Sequence, residues 1–123
     1  MYASVAPSTI TFPVENIDVT VLEERDNLVL NCTASGLPAP TIQWYRGTRL
    51  LTEAEDRTTI APGTPSMDAD GLYIVVSTLT ISPSGRDDSD TYSCIATNTV
   101  LGATRTDTVD FNVTVNCMKP TCC

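Results

Sequence analysis

The chain has 123 residues and a formal net charge of −8, from 7 Lys and Arg against 15 Asp and Glu, with five cysteines and no histidine. Such acidity argues against nucleic acid or an anionic membrane surface as partner, because both reward positive patches. No apolar run approaches the ~18 residues of a membrane span, the commonest general base is missing, and the length suits one domain of ordinary size with a real core.

Met1-Tyr2-Ala3-Ser4-Val5-Ala6-Pro7 has neither the basic start nor the long apolar stretch of a signal peptide, and the chain reads as a piece of a longer protein. Residues 6–13, with Pro7 and Pro13, read as an edge strand A, where a missing N–H is tolerated. Ile17 to Leu22 alternates cleanly as strand A′, and residues 23–26 form a charged turn. Strand B follows, with Leu28, Leu30, Cys32 and Ala34 on one face and Asn27, Val29, Asn31 and Thr33 on the other. Residues 35–40 read as a B–C loop stiffened by Pro38 and Pro40, with either preceding bond open to the cis form.

In strand C, Ile42 and Trp44 alternate with polar neighbours as far as Arg46, and the chain turns at Gly47. Leu50-Leu51 reads as a short C′ strand and residues 57–60 as strand D. Residues 61–71 are dense in turn formers and read as a long D–E loop. Strand E then covers residues 72–81, the E–F corner 82–90, strand F 91–98, the F–G loop 99–103 and strand G 104–115. Val109, Phe111, Val113 and Val115 share the inward face of G.

Taken together, Cys32, Gly36-Leu37-Pro38-Ala39-Pro40, Trp44, Ser77-Thr78-Leu79-Thr80-Ile81, Asp88-x-Asp90-x-Tyr92-x-Cys94 and Ala96-Thr97-Asn98 with Gly102 following resemble an I-set immunoglobulin domain. The resemblance covers about residues 7–115, leaving 1–6 as an extension and 116–123 as a cysteine-rich tail. It implies an all-β fold, a two-sheet Greek-key sandwich pinned by a disulfide between Cys32 and Cys94, 62 positions apart. Trp44, Leu79 and Tyr92 are then core residues, and the Tyr92 hydroxyl bonds back to the E–F corner. Free thiols or zinc ligands are the rival reading of the two cysteines, although zinc sites favour close pairs and local co-ligands. The chain departs from the family at Asp90, usually glycine or alanine, and in the length of residues 60–72.

Other chemistry is weighed residue by residue. The serines lack an activating partner and the acidic residues fall in turns, so no catalytic site is expected. Asp68 and Asp70 in one loop and Asp87, Asp88 and Asp90 in another lie about 30 Å apart along strand E and cannot share a calcium ion. They read as turn aspartates, with Asp88 paired to Arg57; neither metal nor cofactor is expected. Asn31-Cys32-Thr33 and Asn112-Val113-Thr114 are N-glycosylation acceptors whose asparagines face outward, one on each sheet. The buried cysteine beside Asn31 is expected to lower efficiency there.

Loops B–C, D–E and F–G are expected at one end, where Leu37, Met67, Val100 and Leu101 are apolar and exposed, unless they pack on their own loops. A second candidate face is the outside of C, F and G, with Gln43, Tyr45, Ile95 and Thr97. Five cysteines leave three in the tail: Cys117 can close a small loop with Cys122 or Cys123, leaving one thiol for another chain or for a neighbouring module's framework.

What these features imply is a non-enzymatic extracellular or cell-surface module that recognises protein, homophilically or heterophilically, in adhesion, with no chemical step and no membrane insertion of this segment. The alternatives are the ligand-binding ectodomain of a receptor such as a tyrosine kinase, and a structural spacer of the kind strung together in titin.

Overall fold

A computed structural model describes residues 5–22, 27–52, 57–82 and 88–116. Among these residues ten strands follow one another: β1 (Ala6–Phe12), β2 (Ile17–Leu22), β3 (Leu28–Leu37), β4 (Thr41–Arg46), β5 (Arg49–Leu50), β6 (Thr58–Ala61), β7 (Ser66–Met67), β8 (Tyr73–Ile81), β9 (Asp90–Val100) and β10 (Ala103–Asn116). Alternation sorts them into two layers, because every second side chain along most of β3, β8, β9 and the second half of β10 is buried and mostly apolar.

One sheet runs β1-β3-β8-β6, with β7 also on β8; the other runs β2-β10-β9-β4-β5. Pairing is antiparallel throughout except between β2 and β10, which run parallel from Ile17↔Phe111 to Leu22↔Asn116. The N-terminal strand is therefore divided between the sheets: β1 lies on β3, and after the cis Phe12–Pro13 bond the chain crosses to β10. This is an immunoglobulin-like two-sheet sandwich.

Between the sheets, Cys32 and Cys94 are joined with their Cα atoms 6.5 Å apart. Closing a loop of that length stabilises the fold by about 4 kcal/mol in the chain-entropy description. Trp44 lies beside the bridge with its ring 5.6 Å from that of Phe111, and Leu28, Leu79 and Tyr92 complete the enclosed centre. The Tyr92 hydroxyl donates to the Asp88 carbonyl at 2.6 Å, tying β9 to the corner before it.

Three loops differ from expectation. Strand B extends to Leu37, since Gly36 pairs with Tyr73 and Leu37 with Ala6, so only residues 38–40 turn towards β4. Strands F and G continue to Val100 and from Ala103, which reduces the F–G loop to Leu101-Gly102. Most of the D–E loop stays outside the strands, as residues 62–65 and 68–72, but Ala61 closes β6 and Ser66-Met67 form β7, both paired with the free edge of β8. Between them, residues 62–65 stand opposite 75–77, a bulge whose Pro62 and Pro65 need no ladder donor.

Candidate functional site

The end of the sandwich that carries the Leu101-Gly102 turn is built on a buried asparagine. Asn98 lies on the inward face of β9; its side-chain oxygen accepts from the Ser8 amide at 2.9 Å, and its Nδ2 donates to the carbonyls of Ala6 and Pro38, both at 2.9 Å. The Ser8 hydroxyl lies between the carbonyls of Ala96 and Arg105, and Asp107 accepts from the Ile10 amide at 2.8 Å. Two strands of one sheet and the 38–40 turn are thereby fastened to β1 of the other. None of these partners stands out in the sequence, since each is a lone small polar residue whose mate lies about ninety positions away.

Three residues beyond Asn98, the chain reverses through Leu101 (φ 53°) and Gly102 (φ 81°). Positive φ at both central positions is the pattern of a type I′ hairpin, which favours Asn-Gly; a leucine at the first position costs roughly 1–2 kcal/mol. Leu101 is also 88 % exposed, so no packing within the chain repays the strain.

The other expected members of this end are distributed differently. Val100 is only 6 % exposed, a correction to the sequence reading: with β9 continuing, its parity places it on the face of Cys94, Ala96 and Asn98. Leu37, at the end of β3, is half-buried, whereas Met67 is 57 % exposed on β7. Beside the 38–40 turn, Pro40 and Ile42 face Pro62, Pro65 and Val75 across a shallow groove of about 240 Å³.

On the outside of β4, β9 and β10, register places Gln43, Ile95 and Thr108 in one row, Thr41, Thr97 and Thr106 in another, and Tyr45, Ser93 and Asp110 in a third. Gln43 is exposed, and Tyr45, Ile95 and Thr97 are half-buried by their neighbours.

The acidic turns are occupied by protein donors. Asp68 accepts from the amides of Asp70 and Leu72, both at 2.9 Å, and buried Asp88 receives both terminal nitrogens of Arg57 at 3.1 and 3.3 Å. The Thr91 amide and then Arg46, at 3.0 Å, hold the Asp90 carboxyl below the usual range. Burial pushes the Tyr92 phenol up to about 12. Among the described residues no group of His, Cys, Asp or Glu is arranged to hold a metal. Asp87, Cys117, Cys122 and Cys123 lie outside the described residues.

Both sequon asparagines are exposed, Asn31 on β3 and Asn112 on β10, on opposite sheets. The Asn112 carboxamide donates to Asp18 at 3.1 Å and accepts from Thr91 at 3.3 Å, and the Asn31 oxygen accepts from Thr78 at 2.7 Å.

Comparison with known proteins accords with this geometry. The immunoglobulin domain family model matches residues 7–98. Chicken sidekick-2 is 34 % identical over 95 residues, covering 77 % of this chain and 4 % of that protein. Human neogenin is 38 % identical over 73 residues, 58 % of this chain and again 4 % of the relative. Rat contactin-5 is 32 % identical over 94 residues, covering 76 % of this chain and 7 % of its own length. These relatives are immunoglobulin-domain proteins of the cell surface, and the chain spans only a small fraction of each. Among solved structures, titin domain M7 superposes with a TM-score of 0.66 at 19 % identity over 94 % of this chain and 99 % of that one. Titin Z1Z2 in complex with telethonin gives 0.72 at 23 % over 96 % of this chain and 51 % of that one; at such identities the likeness concerns the fold. On sequence and architecture together, the chain belongs to the immunoglobulin domain family.

Proposed function

We propose that the chain is a non-enzymatic extracellular module of a larger protein, that it mediates adhesion or recognition at the cell surface, and that its contact centres on Leu101. The observation that carries this reading is the pairing of strain with exposure: an apolar side chain stands in water on a backbone conformation that disfavours it, over an asparagine-locked support. Exposed anchors on rigid supports are what binding surfaces use. The net charge of −8 favours a partner with a basic face over a second copy of the chain.

The test uses the secreted chain with Cys117, Cys122 and Cys123 changed to serine, multimerised and offered to displayed ectodomains, alongside sedimentation over a wide concentration range. Leu101→Asn should raise stability by about 1 kcal/mol and abolish binding. Binding that survives Leu101→Asn places the contact elsewhere, on the Gln43, Tyr45, Ile95 face first. Failure to bind any partner or itself leaves a passive spacer.

A further inference from the structure

Three exposed apolar side chains, Phe12, Val29 and Val76, share the outside of the β1-β3-β8 sheet. Phe12, Thr33 and Val76 form one row across it by register, and Phe12 and Val76 are each about half exposed or more. Val29, also about half exposed, lies four residues before Thr33 on the same face of β3. Asn31 stands between Val29 and Thr33, at the centre of this strip, and the row at Thr33 places Phe12 on its diagonal at about 8 Å.

The strip borders an incomplete edge. Pairing of β1 with β3 ends at Phe12↔Thr33, where the chain crosses to the other sheet, so among the described strands Leu28 to Cys32 have a partner only on the β8 side. Exposed apolar surface next to an open strand edge invites pairing with another chain unless something covers it. What stands at that place is an acceptor triplet, Asn31-Cys32-Thr33, whose asparagine is exposed and whose carboxamide oxygen accepts from Thr78 on β8.

We infer that Asn31 carries an N-linked oligosaccharide that covers Phe12, Val29, Val76 and the open edge of β3. In the modification, Nδ2 of Asn31 bonds to the anomeric carbon of a lipid-linked oligosaccharyl diphosphate. The bond from that carbon to the diphosphate oxygen breaks, the lipid diphosphate leaves with the electron pair, and one Nδ2 proton is lost. The C–H faces of the first sugars lie over the apolar strip while their hydroxyls meet water. Asn112 supplies the contrast, for its carboxamide is surrounded by Asp18, Thr91 and Thr114 with no apolar strip to cover. The inference rests on the extracellular reading only in requiring passage through a secretory route.

The experiment supplies that route with an appended secretion signal, so a failure here is separable from a failure of Leu101 to bind. The chain is collected from the medium of cultured animal cells, and its intact mass is measured before and after peptide N-glycosidase, which converts a glycosylated asparagine to aspartate. Asn31 should be converted, and Asn31→Gln and Thr33→Val should each lack its glycan. Enzymatic removal of the sugar from the folded chain should raise binding of an apolar-surface dye at least about twofold, and Phe12→Ser should reverse the rise. The dye measurement on the deglycosylated chain needs no substitution to fold. An unmodified Asn31 in the secreted chain, or removal of its glycan with no change in dye binding, overturns the inference.

Discussion

Ser77 shows how much of the interior depends on one small group. Its hydroxyl accepts the Trp44 indole N–H at 2.9 Å and donates to the Ala61 carbonyl at 2.9 Å, linking strand C across the core to strand D while fully enclosed. Ser77→Ala removes both bonds and leaves the buried Trp44 indole N–H without its partner, which is expected to cost about 1–3 kcal/mol in urea denaturation. Strand alternation and the immunoglobulin resemblance make Trp44, Leu79 and Tyr92 legible as core in the sequence. Parity also placed Ser77 on the inward face, but a serine announces no partner, and its partners lie 33 and 16 positions away. A separation of 90 positions conceals the pairing of Asn98 with Ser8 in the same way.

At the scale of elements, the period-2 alternation of strands B, F and G was readable because one face of each is covered. Their ends were not. Leu101-Gly102 lacks the asparagine or aspartate that usually marks a tight hairpin, so the sequence predicts a longer loop, 99–103, that takes in Val100 as an exposed residue. Pro62-Gly63-Thr64-Pro65 has the composition of a loop, and only the neighbouring edge of β8 makes it a bulge within a strand. Gly63 is what permits that bulge: at φ 77° its Cα lies against the Val76 carbonyl, and an added Cβ would collide with that oxygen. Gly63→Ala should therefore destabilise the fold by about 1–3 kcal/mol and speed amide exchange in β7 more than in β3. Equal protection in the two proteins would show that the bulge yields without loss.

For the whole molecule, stability should have an alkaline limit set from inside. An unfolded tyrosine titrates near 10, whereas burial raises Tyr92 to about 12. Below 10 both states hold the proton and the contribution is complete; between about 10 and 12 the unfolded chain releases it while the native chain does not, so stability falls as pH rises. The expected loss is about 2–3 kcal/mol across that interval, read from urea midpoints, and Tyr92→Phe should flatten this part of the profile. Asp90 acts with the opposite sign, its contribution fading as pH falls through its lowered value, but it is about half exposed and water screens its pairing with Arg46.

The parallel pairing of β2 with β10 also determines how the domain bears tension. The chain enters along β1 at the Leu101 end and leaves along β10 at the opposite end. A pull on the two flanks draws β2 and β10 past each other lengthwise, so the six pairs from Ile17↔Phe111 to Leu22↔Asn116 are loaded together in shear instead of being unzipped one at a time. Once they part, the Cys32–Cys94 bridge still holds the chain between those residues as a closed ring, and the extension released by rupture is limited to the chain outside that ring.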